Sequence, residues 1–531
     1  MEVALCASFV AILLTTMLFL KAISTRCRRR KYNLPPGPKP WPIIGNLNLV
    51  GALPHRSIHE LSRRYGPLVY LRFGSFPVVV GSSVEMARFF LKTRDAAFID
   101  RPRTAAGKHT AYNYRDITWS PCDAYWRQAR RVVLTELFSA RRIESYEHIR
   151  REEVHALLRD LHYASSSGGR RAIVIKDYLS TASLNMITRM VMGKRYVQGE
   201  VVHEEPGSAR TTLAQFKELL EELFFLNGVF NVGDQIPWLE WLDLQGYVKR
   251  MKKVSKALDQ LLEHVVDEHS ERRQREGNGF VAGDMVDVLL RLADDSSLEV
   301  KLSRDSIKAF TQVSDCIAYI VDLIAGGTES SSETIEWAIS ELLRKPEMFA
   351  KATEELDRIV GHRRWVNEKD ILDLPYIEAI VKETMRLHPI GPLLAPRLSR
   401  EDTSVGGYDI PTGTRVFVNV WAIARDPTLW DASEEFMPER FLGKKIDVKG
   451  QDFELLPFGS GRRMCPGYNL GLKVIQLSIA NLLHGFTWRL PKDMVKEDLS
   501  MEEIFGLSMP RKFPLEVAVE PKLSSHLYKG D

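Results

Sequence analysis

The chain has 531 residues, with 73 basic and 69 acidic side chains and a net charge of +4. Hydrophobic residues make up 44% and charged residues 27%, which excludes a mostly disordered chain, and near-neutrality spread over so many charges excludes a nucleic acid partner held by bulk electrostatics. The cysteines at 6, 27, 122, 316 and 465 form no C-x-x-C pair and are too scattered for a disulfide framework, so the bulk of the protein belongs in a reducing compartment.

In chain order, Val3–Leu20 is an uncharged run long enough to cross a bilayer as one helix. Glu2 is the only charge before it, whereas Lys21, Arg26, Arg28, Arg29, Arg30 and Lys31 follow. The positive-inside rule then keeps the rest of the chain cytosolic. With no basic n-region and no A-x-A-like cleavage site, the run reads as an uncleaved anchor over residues 1–23. Residues 24–45 are a basic and proline-rich hinge, in which Pro35-Pro36-Gly37-Pro38-Lys39-Pro40-Trp41-Pro42 makes a stiff extended spacer. No later break is as strong, and 46–531 reads as one domain. Short β-like stretches occur at Leu68–Phe73, Val78–Val80 and Arg415–Val420, and most of the rest shows helical periodicity. The longest helix is predicted from about Asp305 to Arg344, with Ile317, Ile320, Val321, Ile324 and Thr328 on one face. The fold class is mainly α with a minor β region.

The chemistry concentrates in Phe458-Gly459-Ser460-Gly461-Arg462-Arg463-Met464-Cys465-Pro466-Gly467. Glycines on both sides let backbone approach a flat ligand, Arg463 can meet an anionic group, and backbone amides around Cys465 can hold its sulfur as thiolate. Read as F-x-x-G-x-R-x-C-x-G, the segment resembles the haem-binding signature of the cytochrome P450 family, with Phe458, Arg463, Cys465 and Gly467 at fixed positions. Glu383-Thr384-Met385-Arg386 and Pro438-Glu439-Arg440-Phe441 lie at the family's distances upstream. By resemblance, Glu383, Arg386 and Arg440 form a buried ion-pair network that locks the haem loop. Trp126 and Arg130, in Trp126-Arg127-Gln128-Ala129-Arg130, and Arg397 would meet the propionate end of the haem. In the long helix, Ala325-Gly326-Gly327-Thr328-Glu329-Ser330-Ser331 is similar to the family's oxygen-activation motif [AG]-G-x-[DE]-T, with Ser330 in place of the usual Thr. Adjacent glycines inside a helix are explained either by close packing on a neighbour or by a kink that leaves room over the haem.

The resemblance covers essentially the whole chain and in detail looks like a plant microsomal member. It implies the P450 fold, haem b with Cys465 as iron ligand, and a monooxygenase that uses O2 with proton delivery through Thr328, Glu329 and Ser330. Lacking a G-x-G-x-x-G and a flavin segment, the chain needs outside electrons from an NADPH–cytochrome P450 reductase, docking on the basic face around Arg127, Arg130 and Arg131. The implied setting is the endoplasmic reticulum membrane, single-pass, with the domain facing the cytosol. A hydroperoxide isomerase or dehydratase and a non-catalytic haem carrier are the other classes weighed against it. The expected pocket is apolar, lined around Phe224 and Phe225, Tyr319 to Thr328, Ile390 to Ala395 and Phe505 to Ser508. That suits a small lipophilic substrate: a terpenoid, including cleavage of acyclic tertiary alcohols such as nerolidol or geranyllinalool to homoterpenes, or alternatively a flavonoid ring.

Overall fold

The computed structural model describes residue 16 and residues 32–166, 172–195, 201–203, 211–293, 312–492 and 494–529; for 201–203, 211–212, 278, 293 and 312–319 only the backbone is described. The predicted anchor, apart from Thr16, and the basic part of the hinge lie outside these residues. Among the described residues no helix is long and apolar enough to cross a membrane.

The early β signal forms a hairpin of β1 (Leu68–Phe73) and β2 (Phe76–Gly81). Its turn uses Gly74 at φ +54°, where a Cβ would lie 2.2 Å from the Gln235 carbonyl oxygen, so only glycine fits. The end of the proline-rich stretch lies along this hairpin. Tyr70 N–H donates to the Pro36 carbonyl at 2.9 Å, and Gly37 is so close to Tyr70 that a Cβ would meet its oxygen at 1.9 Å. The later strands include β3 (Ile173–Val174), β4 (Arg397–Leu398), β5 (Arg415–Val418), β6 (Phe486–Arg489) and β7 (Glu516–Pro521). One sheet has the order β1-β2-β5-β4, with β2 and β5 parallel, and a second has the order β6-β7-β3.

Helices make up most of the rest. They include α1 (Pro54–Tyr65), α2 (Ala124–Val132), α3 (Glu147–Ser166), α4 (Ile175–Met192), α5 (Leu213–Gly228), α6 (Tyr247–Glu276), α7 (Met285–Ala293), α8 (Gln312–Arg344), α9 (Pro346–Ile359), α10 (Pro375–Leu387) and α11 (Tyr468–Gly485). The described part of α8 spans 33 residues, about 50 Å at 1.5 Å per residue. Its predicted apolar face is buried at Ile320, Val321, Ile324 and Thr328, and the helix packs along α4, α11, α6 and α10. The side chain of Ile317 is outside the described residues. The main core gathers around α8, and two smaller clusters fill the space under the β1–β2 sheet. This leaves α8 facing the Phe458–Gly467 loop across an internal space.

Candidate active site

A cavity of about 380 Å³ separates α8 from that loop, with α2 and the segment from Ile390 to Arg397 on its sides. The loop is shaped by Gly459 and Gly461, both at left-handed φ (+69° and +73°). A Cβ on Gly461 would lie 2.1 Å from the Leu91 carbonyl oxygen. Cys465 N–H donates to the Phe458 carbonyl at 3.0 Å, which ties the two ends of the loop and turns the Cys465 side chain to the cavity wall. Burial pushes the thiol pKa up, while the Gly467 amide at the sulfur and the Arg130 guanidinium pull it down. Phe458, Arg463, Cys465 and Gly467 all line the cavity; Cys122 does not.

Four guanidiniums, from Arg101, Arg130, Arg397 and Arg463, border the same cavity. Arg397 Nη1 pairs with Asp95 at 2.6 Å and its Nη2 donates to the Ser460 carbonyl at 2.9 Å. Arg463 donates to the carbonyls of Ile99 (2.9 Å), Ile117 (3.1 Å) and Ser120 (2.5 Å), and lies 3.9 Å from the Trp126 ring centroid. Arg130 donates to the Met464 carbonyl, and Trp126 Nε1 to that of Ile117 at 3.1 Å. Arg101 holds the carbonyls of Thr118, Ala395 and Pro396. Among the described residues only Arg397 of the four forms an ion pair. Burial, then the neighbouring Arg463 and Arg397 charges, lower the Arg101 pKa, and burial lowers that of Arg463 to about 10. Such a ring of mutually repelling cations suits an anionic ligand. With a sulfur on one wall and glycines 326, 459 and 467 leaving it free of bulk, the cavity fits a haem bearing two propionates.

Glu383, Arg386 and Arg440 are buried and joined to one another. Arg386 meets Glu383 through Nε at 2.7 Å and Nη2 at 2.8 Å, and Arg440 Nε meets Glu383 Oε1 at 3.0 Å. The remaining guanidinium donors go to the carbonyls of Ala424, Asp431, Ala432, Ser433 and Glu435, so the segment 424–440 is held from inside. A buried pair survives only when its polar atoms are matched in this way.

On α8, Asp322, Gly326, Ser330 and Thr334 face the cavity at four-residue intervals. The helix runs unbroken through Ala325–Ser331, and the two glycines divide the two explanations between them. A Cβ on Gly327 would meet Ile187 Cδ1 of α4 at 2.4 Å, which is close packing; a Cβ on Gly326 would meet nothing within 4 Å, which is room. Ser330 Oγ donates to the Gly326 carbonyl at 2.8 Å. Thr328 turns away, fully buried, and donates to Ile324 at 2.7 Å. Glu329 also lies off the cavity, near Lys176 and Lys217; burial pushes its pKa up to about 7 against the pull of Lys176.

Of the expected substrate lining, Phe224, Ile390, Leu394, Ala395 and Leu507 are in the wall. Phe505 lines a second cavity of about 120 Å³ that shares Gly391, Leu394, Ala395 and Leu507 with the first. Phe225 instead packs against Arg250 and Tyr247 of α6. Arg127 and Arg131 are exposed on α2, but Arg130 points inward and does not belong to that basic face. Sequence reasoning missed Arg101, which no spacing signals, and Asp322, which the α8 periodicity one turn before Gly326 could have found.

A family model for cytochrome P450 matches residues 35–515. The chain is 49% identical to a trimethyltridecatetraene synthase of Zea mays, covering 98% of this chain and 94% of the relative, and 50% identical to a dimethylnonatriene synthase of Zea mays (96% and 95%). It is 41% identical to a flavonoid 3'-monooxygenase of Petunia hybrida (98% and 99%). Among solved structures it resembles a zebra fish cytochrome P450 with abiraterone, at TM-score 0.71 and 26% identity, covering 89% of this chain and all of that one. The chain belongs to the cytochrome P450 family and is a haem-thiolate monooxygenase, with Cys465 as the cysteine that its iron takes.

Proposed function

We propose that the enzyme oxidises a neutral acyclic terpenoid alcohol and breaks one of its C–C bonds to release a homoterpene. The observation that carries this reading is the cavity wall. Phe224, Ile187, Met190, Val191, Leu323 and Leu507 give apolar contact. The polar groups bordering the adjoining cavity are already engaged with one another: Asn227 with Trp119 Nε1 at 2.9 Å, Arg415 with Gln235 at 2.8 Å, and Asp234 with the Ala105 amide at 2.7 Å. Few polar partners are left for a polyphenol, whereas a flexible hydrocarbon with one hydroxyl fits. The printed names of the two maize relatives support the same chemistry. In the net reaction two electrons leave the substrate and two come from NADPH; dioxygen ends as two waters, and the broken bond yields an alkene and a ketone.

The haem, when bound, supplies dioxygen activation and hydrogen abstraction from the substrate. The chain supplies the rest. Cys465 would give the iron its sulfur ligand, and Arg101, Arg130, Arg397 and Arg463, with Trp126 behind Arg463, would hold the propionates. Ser330 presents a proton from the α8 side, with Glu329 behind it. Electrons arrive from a reductase docked on the exposed Arg127 and Arg131 of α2. Residues 1–23 anchor the protein in the endoplasmic reticulum membrane, and 24–45 lead from it to the cytosolic catalytic domain of 46–531, with the end of that stretch fastened to the β1–β2 hairpin.

The test uses microsomes holding the protein and a plant reductase, given NADPH with nerolidol, geranyllinalool or naringenin. A volatile shortened hydrocarbon from either alcohol is the expected product. Hydroxylated naringenin, with both alcohols returned intact, would replace the terpenoid reading by the flavonoid one that the Petunia relative suggests.

A further inference from the structure

Beyond the active-site cavity lies the second one, of about 120 Å³, between the end of α5, the Ile390–Arg397 segment and the loop around Phe505. Leu226, Val229, Phe230, Phe417 and Phe505 give it apolar walls, and the Phe230 and Phe505 ring centroids are 6.0 Å apart. Asn227, Asp234, Gln235 and Arg415 are taken up by the partners given above, so the surface left for a ligand is mainly hydrocarbon.

Gly391, Leu394, Ala395 and Leu507 border both cavities. The border is not packed shut, since a Cβ on Gly391 would meet nothing within 4 Å. The two larger side chains beside it are fixed by their backbones. Leu394 has a left-handed φ of +50°, which a residue other than glycine keeps only where its surroundings impose it. Its N–H donates to the Gly391 carbonyl at 3.0 Å, and Arg101 holds the next two carbonyls, of Ala395 and Pro396, at 2.6 and 2.8 Å. The Leu394 side chain reaches over the haem loop, where a Cβ on Gly459 would lie 3.6 Å from its Cδ1. Opposite, the Leu507 nitrogen is so close to Gly228, at the end of α5, that a Cβ there would lie 1.8 Å away. Strain held in place at the border of two cavities points to a role in binding.

The chemistry sets which end of the substrate goes where. The broken bond leaves a ketone, and in a tertiary alcohol the carbon that becomes the ketone is the carbinol carbon. The hydroxyl end therefore lies in the haem cavity, and the far end of the chain points away from it. We infer that the second cavity is the binding subsite for that far hydrocarbon end, and that Gly391, Leu394 and Leu507 set the chain length the enzyme accepts. Geranyllinalool, one isoprene unit longer than nerolidol, places its extra unit past Gly391 and between Phe230 and Phe505. The inference rests on the terpenoid reading proposed above.

The test titrates the ferric holoenzyme with each alcohol and reads the dissociation constant from the shift of the Soret band, with no turnover needed. The wild type should bind geranyllinalool more tightly than nerolidol. Gly391→Val, which puts a branched side chain into the open border, should reduce that preference about tenfold, the low end of what one misplaced apolar group in a pocket is worth. Leu394→Ala should shift it the other way. A ferrous–CO spectrum checks haem incorporation in each variant. Should Gly391→Val fail to take up haem, Leu507→Phe narrows the same border from the C-terminal loop and should move the preference in the same direction. A wild type without the preference, or a variant with an intact spectrum and an unmoved preference, overturns the inference; so does equal weakening of both alcohols, which a mere entry passage would give. Product analysis separates this from the terpenoid reading. Homoterpene formed with the preference unmoved defeats only the subsite, a moved preference without homoterpene defeats only the cleavage, and no Soret shift with either alcohol defeats both.

Discussion

At Cys465 a thiol is embedded in protein yet open on one side to the cavity, where burial raises its pKa and the Gly467 amide and Arg130 lower it. Only a cation at the open side would complete the environment of a thiolate. Cys465→Ser should therefore fold, by far-ultraviolet circular dichroism, but lose the red-shifted Soret band of the ferrous–CO complex. A band equal to wild type would remove Cys465 as the ligand. This residue was legible in the sequence because the segment around it resembles the family's haem-binding signature, and its glycines let backbone approach a flat ligand. Arg101 was not legible, because its role comes from carbonyls at Thr118, Ala395 and Pro396, the last two nearly three hundred positions away.

Among the elements, α8 carries most of the chemistry, and its paired glycines make a direct comparison. Gly327→Ala drives a methyl into Ile187, fixed in the buried face of α4, so it should destabilise the holoenzyme by about 1–3 kcal/mol, as overpacking does. Gly326→Ala meets open space and should leave thermal stability within about 0.5 kcal/mol of wild type or above it, since alanine is the better helix former. It should instead alter substrate affinity or product distribution by narrowing the cavity. Thermal haem-release midpoints and product ratios for the two variants check both statements, and equal midpoints would refute the division of roles. The length and apolar face of α8 followed from periodicity. That adjacent glycines serve two different neighbours did not, because periodicity gives an angle around the helix but not what stands at that angle.

At the scale of the whole molecule, Glu503 ties the C-terminal loops to α1, accepting from His55 Nε2 and Arg56 Nε at 2.9 and 2.7 Å. Burial pushes its carboxyl up, but these two donors outweigh burial and hold its pKa down at about 2. His55, whose own pKa burial lowers, is neutral at pH 7 and acts there as a hydrogen-bond donor, leaving the charge to Arg56. A carboxyl pKa below its unfolded value of 4.5 gives stability that is fully present above pH 4.5 and is lost as pH falls towards about 2. The drop corresponds to about 2–3 kcal/mol once the half-exposed Arg56 is discounted. Glu503→Gln should thus be less stable than wild type by that amount at pH 7, with the gap closing between pH 4.5 and pH 2 in denaturant titrations. A gap that widens on acidification would reverse the sign and the assignment.

The sequence by itself determined the chemistry and the fold class. The spacing around Cys465, the Glu383–Arg386 pair with Arg440, and the long helix with its small residues are local patterns, and local patterns are written by short-range geometry. Only the tertiary structure decided which groups meet. It turned Thr328 and Glu329 off the cavity, brought Arg101 and Asp322 onto it, and pointed Arg130 inward while leaving Arg127 and Arg131 outside. The physical reason is that charge, burial and partnership are properties of pairs distant in sequence. The charge of Lys176 acts on Glu329 only when α4 is laid against α8.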